Sequence, residues 1–186
     1  MPVLAQEQAL ISGDVEHGGF DSPSVKITNI NGENAVLVGG RGGWIVNHKF
    51  VLGAAGYGLA SNIYPKGSDT IRRYMEMGYA GLDLEYITYS DHLVHLSLEL
   101  LIGGGGIRYK EDDDFDFGKP SDAFFILEPG INVNLNVTQF FRISCGASYR
   151  HISGLRSNLS TRWISLSIRS ICVLIACLHE FDRHHQ

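Results

Sequence analysis

Two triplets in this sequence set an imidazole and a hydroxyl two residues apart: His95-Leu96-Ser97 and His151-Ile152-Ser153. On a β-strand, residues i and i+2 share a face. The imidazole can then take the hydroxyl proton and activate a nucleophile, provided a third group orients the ring. No orienting acid is evident for either triplet. His92 and His95 are three apart, which puts them on opposite faces of a strand and makes them a poor metal pair. The run Asp112-Asp113-Asp114-Phe115-Asp116-Phe117-Gly118 offers alternate carboxylates to a hard cation. An EF-hand loop begun at Asp112 would need Gly at its sixth position and Glu at its twelfth, where Phe117 and Ala123 stand, so a solvated acidic loop is the reading. The Asp-Phe-Gly inside that run lacks the Gly-rich loop, the strand Lys and the His-Arg-Asp loop of a kinase. Gly103 to Gly106 would cradle phosphate only before a helix; none follows, so close strand packing or a bend is expected there. Cys145, Cys172 and Cys177, an odd number, form neither a disulfide framework nor a zinc pattern. No residue is assigned as catalytic or as a metal ligand, and no cofactor is implied.

The elements that would position these groups follow from composition and periodicity. A length of 186 residues fits one domain. With 44% apolar and 19% charged residues and 22 Gly against 5 Pro, the chain is neither disordered nor collagen-like. A net charge of -5 and a pI near 5.9 provide no basic stripe, which excludes nucleic acid as a partner. The longest apolar run, Ile171 to Leu178, is far short of the roughly 20 residues of a transmembrane helix. Val3-Leu4-Ala5 before Gln6-Glu7-Gln8 reads like the residues ahead of a cleavage site. Residues 1–18 are therefore expected to form an N-terminal segment, either the remnant of an export signal or an ordinary frayed end. Every Gly lies at or before Gly154, while Cys172, Cys177, His179, His184 and His185 crowd the far end. This break predicts an atypical tail over 171–186, outside a folded unit of 19–170.

Within that unit, period-two alternation recurs. From Ala123 to Val137 the odd positions are Ala123, Phe125, Leu127, Pro129, Ile131, Val133, Leu135 and Val137; the even ones from Glu128 are Glu128, Gly130, Asn132, Asn134 and Asn136. Phe141, Ile143, Cys145, Ala147 and Tyr149 likewise oppose Arg142, Ser144, Gly146, Ser148 and Arg150. Val94, Leu96, Leu98, Leu100 and Ile102 oppose His95, Ser97, Glu99 and Gly103. With the weaker segments, strands are predicted at about 22–30, 35–46, 50–61, 73–88, 93–109, 122–138, 140–153 and 162–170. The phase slips near Ala80-Gly81, where a bulge is expected. Short turns at 47–49, 89–92 and 138–139 alternate with long loops at 61–72, 110–121 and 154–161. The tight Asn31-Gly32 hairpin is the exception on the loop side. The fold class is all-β: an eight-stranded antiparallel up-and-down transmembrane β-barrel, with short turns on one rim and long loops on the other.

A soluble lipocalin-like barrel has the same alternation turned inside out. Three features favour the membrane. Of the strand residues only Lys26 is a lysine well inside a strand, so the polar face is enclosed rather than solvated. That face mixes Arg41, Glu76, Asp83, Glu85, Glu99, Glu128, Arg142 and Arg150, which can pair in a narrow lumen. Aromatics gather at strand ends, with Trp44, Phe50, Tyr86, Tyr89, Phe140 and Phe141 by the turns and Tyr74, Tyr109, Phe125, Tyr149 and Trp163 by the loops. Two such girdles suit two bilayer interfaces.

The stretches GGRGGW (39–44), GYGL (56–59), GLDLEYI (81–87), DAFFILEPGINVNLNVT (122–138) and FFRISCGASYRHISG (140–154) resemble small outer-membrane β-barrel proteins of Gram-negative bacteria, OmpA/OmpX-like in type. The resemblance spans roughly residues 19–154. It implies export, folding into the outer membrane and an OmpA/OmpX-like barrel; the expected partners are the lipid bilayer and lipopolysaccharide, the expected state is a monomer, and the expected role is structural, adhesive or sensing without a general pore. It carries no catalytic residues. Such proteins commonly end in an aromatic residue, whereas this chain ends in Gln186 with Phe181 the nearest candidate. The His151-Ile152-Ser153 placement also resembles outer-membrane lipid A deacylases and phospholipases, although Gly154-Leu155 follows where those sequences would continue Asn-Ala.

Overall fold

The computed structural model describes residues 17–30, 33–61, 73–111, 122–138, 141–154 and 170–180, and the statements that follow concern these. Nine strands are described: β1 (His17–Ile30), β2 (Glu33–Val46), β3 (Phe50–Leu59), β4 (Arg73–Ile87), β5 (Val94–Glu111), β6 (Asp122–Asn136), β7 (Phe141–Ser148), β8 (His151–Ser153) and β9 (Ser170–Glu180). Each strand from β1 to β6 pairs antiparallel with the next, and β9 pairs with both β7 and β1, so the sheet closes on itself. Closure gives each of the eight staves a neighbour on both sides, which is how an all-β wall satisfies its amides in hydrocarbon.

β7 and β8 form one stave. Both pair with β6 in a single continuous register, Gly130 opposite Ser148 and Leu127 opposite His151. The interruption falls at Pro129 and Tyr149. The Tyr149 amide donates to the Pro129 carbonyl at 2.8 Å, but proline has no amide hydrogen to give back. The nine strands are thus eight staves, the number expected from the alternation.

The closing stave differs from expectation. β9 runs from Ser170 to Glu180, within the segment expected to lie outside the barrel. Most of the predicted strand at 162–170 lies outside the described residues. The apolar run Ile171 to Leu178 was set aside because its composition departs from the rest, yet a strand that closes a ring needs only backbone pairing. It finds that against β1 (Gly18 opposite Glu180) and β7 (Ser148 opposite Ser170). β1 likewise begins at His17, just inside the expected N-terminal segment.

The predicted bulge at Ala80-Gly81 is absent. β4 keeps one register with β3 from Gly78 to Tyr86 and with β5 along its whole length. Met77 and Tyr79 are buried on the same face as Asp83. What changes at Gly81 is the chemistry of the inward residues, from apolar near the loops to acidic near the turns. Glu76, expected inside, is exposed on the outer face. Short turns at Asn47 and His48 and at Tyr89 hold positive φ values of 51°, 55° and 52°. Gly39 is required by the wall: a Cβ there would meet the Tyr57 ring at 2.7 Å and collide with the Gly56 carbonyl. Gly103 and Gly105 are also inward, and side chains there would strike the Ala80 carbonyl and the Phe124 ring respectively, the close packing expected of that glycine run.

Candidate functional site

The chemistry-bearing residues converge on the lumen. On the turn side, Arg41 of β2 reaches three carboxylates from two other strands. Its Nε donates to Asp83 Oδ2 at 2.7 Å, its Nη2 to Glu85 Oε2 at 2.6 Å, and its Nη1 to Glu99 Oε2 at 3.1 Å. Asn132 Nδ2 also donates to Glu99, at 2.8 Å, and the Phe20 ring lies 5.3 Å from the guanidinium carbon. Arg41 and Asp83 are buried, so this is a desolvated cluster in which removing one partner strands the others.

Nearer the middle, Glu128 of β6 is the hub of a second cluster. Lys26 Nζ donates to its Oε1 at 2.7 Å and Arg150 Nε to its Oε2 at 2.8 Å. Ser148 Oγ and Tyr79 Oη donate to the same carboxylate at 2.6 and 3.1 Å. Both cations lie over aromatic rings, Lys26 3.7 Å from the Tyr57 centroid and Arg150 4.7 Å from that of Tyr79. Towards the loops the inward face turns apolar, with Leu37, Tyr57, Met77, Tyr79, Leu101, Phe124 and Ile126 in one buried cluster. Side chains therefore fill the interior from the turn-side mouth to the apolar storey.

Of the eight charged residues expected inside, seven are on the inner face and Glu76 is not. The sequence reading missed the apolar storey and Tyr79, because the phase change at Gly81 was taken for a backbone slip. The inward aromatics Tyr57 and Phe124 were legible only from their spacing to Leu59 and Ile126.

The two His-x-Ser triplets fall on opposite faces of the wall. His95 and Ser97 are 3% and 0% exposed inside the lumen, where Ser97 Oγ accepts from Asn134 Nδ2 at 2.9 Å and the His95 ring meets the His92 carbonyl at 3.3 Å. His151 and Ser153 are exposed on the outer face by the loop-side rim. Neither triplet joins a described carboxylate that orients its imidazole. The acidic run 112–118 lies outside the described residues, and among the described residues no group of three or more metal-ligating side chains converges.

The outer face carries Val25, Ile27, Val36, Val38, Leu52, Leu82, Leu84, Leu96, Leu98, Ile131, Val133 and Leu135, each at least 36% exposed. Trp44, Phe50, Tyr86 and Tyr89 ring the turn side of this band, and Phe125 and Tyr149 its loop side. Phe50 and Tyr86 touch, their centroids 5.1 Å apart. The rise from Tyr86 to the exposed Glu76 along a strand tilted by roughly 40° is about 25 Å, the height of a transmembrane barrel's apolar band.

Neither a protein-family model nor a curated protein matches the sequence. Solved structures do match the fold. Neisserial surface protein A (NspA) superposes with a TM-score of 0.53 at 12% identity, covering 91% of this chain and 100% of that one. The N-terminal β-barrel domain of Pseudomonas aeruginosa OprF superposes with a TM-score of 0.56 at 10% identity, covering 87% of this chain and 98% of that one. The fold is that of an OmpA/OmpX-like outer-membrane β-barrel. In this barrel the outer girdles, apolar band and paired lumen charges are one pattern, since each strand's alternate residues face either outwards or into the interior.

Proposed function

We propose that the barrel resides in the outer membrane of a Gram-negative bacterium and serves a structural, adhesive or sensing role through its loop-side rim, without forming a general pore and without enzymatic activity. The observation that carries this reading is the inversion of polarity. Leu96 and Val133 are exposed while Glu128, Asp83 and Arg150 are buried, the reverse of a soluble lipocalin-like barrel. The filled interior argues against a pore, since the Arg41 and Glu128 clusters and the apolar storey occupy successive levels of a narrow eight-stave lumen. The bilayer and its lipopolysaccharide are the natural contacts of the outer face, and a sheet that closes on itself suits a monomer.

The test is expression with an export signal, membrane fractionation, and electrophoresis with and without boiling. Outer-membrane fractionation and faster migration of the unboiled protein are expected. A detergent-free monomer in buffer would overturn the reading, and steady ion conductance of porin size in planar bilayers would overturn its no-pore component.

A further inference from the structure

Part of the outer face is smooth where the rest is bulky. Gly40 of β2, Gly56 and Gly58 of β3 and Gly78 of β4 all point outwards, alternating with the buried Tyr57, Met77 and Tyr79. The wall does not require these four glycines. A Cβ would meet its nearest neighbour at 3.4 Å at Gly40, 3.5 Å at Gly56 and 3.7 Å at Gly78, and nothing within 4 Å at Gly58, and none of the four has a positive φ. The inward glycines of the neighbouring rows differ, since a Cβ at Gly53, Gly81 or Gly103 would strike the carbonyl oxygen of Gly42, Ile102 or Ala80. A glycine inside a strand weakens it, so outward glycines with room for a side chain mark a place where another backbone comes close.

The register sets these residues in a line. Paired residues followed round the wall from His17 lead through Val46, Phe50, Tyr86, Leu98, Ile131, Ala147 and Ile171 back to β1 at Ile27, ten residues nearer the loops. Eight strand spacings of about 4.8 Å against ten residues of about 3.3 Å tilt the staves by about 40°. A line that moves one stave towards β5 and two residues loopward therefore runs within about 5° of the barrel axis. Three cross-strand pairs follow one another along that line: Gly40 opposite Gly56, Gly58 opposite Gly78, and Glu76 opposite Arg108. Glu76 and Arg108 are both exposed.

Two barrels side by side in a bilayer touch along a line parallel to their axes. About a twofold on this line the members of each pair exchange places. Gly40 then faces Gly56 of the second copy, Gly58 faces Gly78, and Glu76 faces Arg108, so that the four charges alternate in sign. The next pair turnward is Asp21 opposite Gly42, where each exposed carboxylate faces a glycine of the other copy rather than its like. We propose that this face of β2–β5 is a docking surface for a second copy of this chain. The glycines let the two walls approach, and the Glu76 and Arg108 side chains of both copies close its loop-side end. The inference rests on the reading of the outer face as embedded in a bilayer. The closed sheet still folds as a monomer, and the association is between finished barrels.

The test is energy transfer between full-length barrels labelled at the amino terminus and refolded into phosphatidylcholine vesicles. Transfer should rise with the density of native barrels. The double variant Gly58→Leu/Gly78→Leu, which adds bulk only outside the wall, should keep the faster unboiled migration and lose transfer severalfold. Glu76→Arg barrels alone, and Arg108→Glu barrels alone, bring four like charges together and should lose it too. Mixing those two variants restores the alternation of sign and should recover transfer between them, which a role confined to one barrel cannot produce. Native barrels that stay monomeric at every density overturn the proposal, as does a mixture that associates no better than either variant alone. A native chain that fails to insert into vesicles overturns instead the bilayer reading, and this proposal with it.

Discussion

Arg150 Nη2 donates to Tyr79 Oη at 2.6 Å, joining two residues 71 positions apart across the inside of the barrel. Both also hold Glu128, so a stave near the end of the chain is tied to β4 and, through Lys26, to β1. The wall is pinned from within as well as along its seams.

Glu128→Ala removes the one carboxylate between Lys26 and Arg150 and leaves two buried cations facing each other. The loss should be about 3–5 kcal/mol in reversible urea unfolding in lipid vesicles, the range for breaking a buried ion pair. A loss below about 1 kcal/mol would mean that the cluster is solvated.

Arg41→Met strands Asp83, Glu85 and Glu99 together, and a similar loss of about 3–5 kcal/mol is expected. The quadruple change that also converts the three acids to their amides should recover much of that loss, because apolar or neutral replacements of a whole buried cluster are often close to neutral. Failure to recover would show that Arg41 acts through packing against Phe20.

Gly39→Ala and Gly58→Ala distinguish glycines the wall needs from those it tolerates. A Cβ at Gly39 collides with β3, whereas one at Gly58 meets nothing within 4 Å. The first variant should fail to give the compact unboiled band, and the second should change stability by no more than about 0.5 kcal/mol.

Val133→Arg puts a charge on the outer face near the middle of the band, where Val133 is 47% exposed. The expected cost is about 2–4 kcal/mol in vesicles. Asn134→Ser, one residue along and pointing inward, should cost less, which would read the two faces of β6 directly.

Much of this architecture was legible in the sequence because a strand encodes its two faces at alternate positions. β6 is the clearest case: Phe125, Ile131 and Val133 fall outside, and Glu128, Asn132 and Asn134 inside, as the alternation required. β4 was harder. Its inward residues pass from Met75 and Met77 to Asp83 and Glu85, and a change of inward chemistry has the same sequence signature as a one-residue slip of the backbone. Only cross-strand register separates the two. β9 was misread for a related reason: an apolar run without alternation carries no face information, so its pairing with β1 and β7 could not be read from its own residues. The ion pairs were foreseen as a class, but the choice of Glu128 as the hub for Lys26 and Arg150 depends on reach across a curved wall, which no local pattern records.

The seam between β1 and β9 sets Gly18 against Glu180, nearly the full length of the chain apart in sequence. Every hairpin from β1 to β7 can zip as it is made, but this ladder has to wait for the final stave and bears the largest loop-closure entropy in the molecule. Assembly should therefore end with a slow step whose rate follows β9 rather than the hairpins. A chain halted before that step presents two unpaired edges at once, the species that proteases and aggregation would claim first.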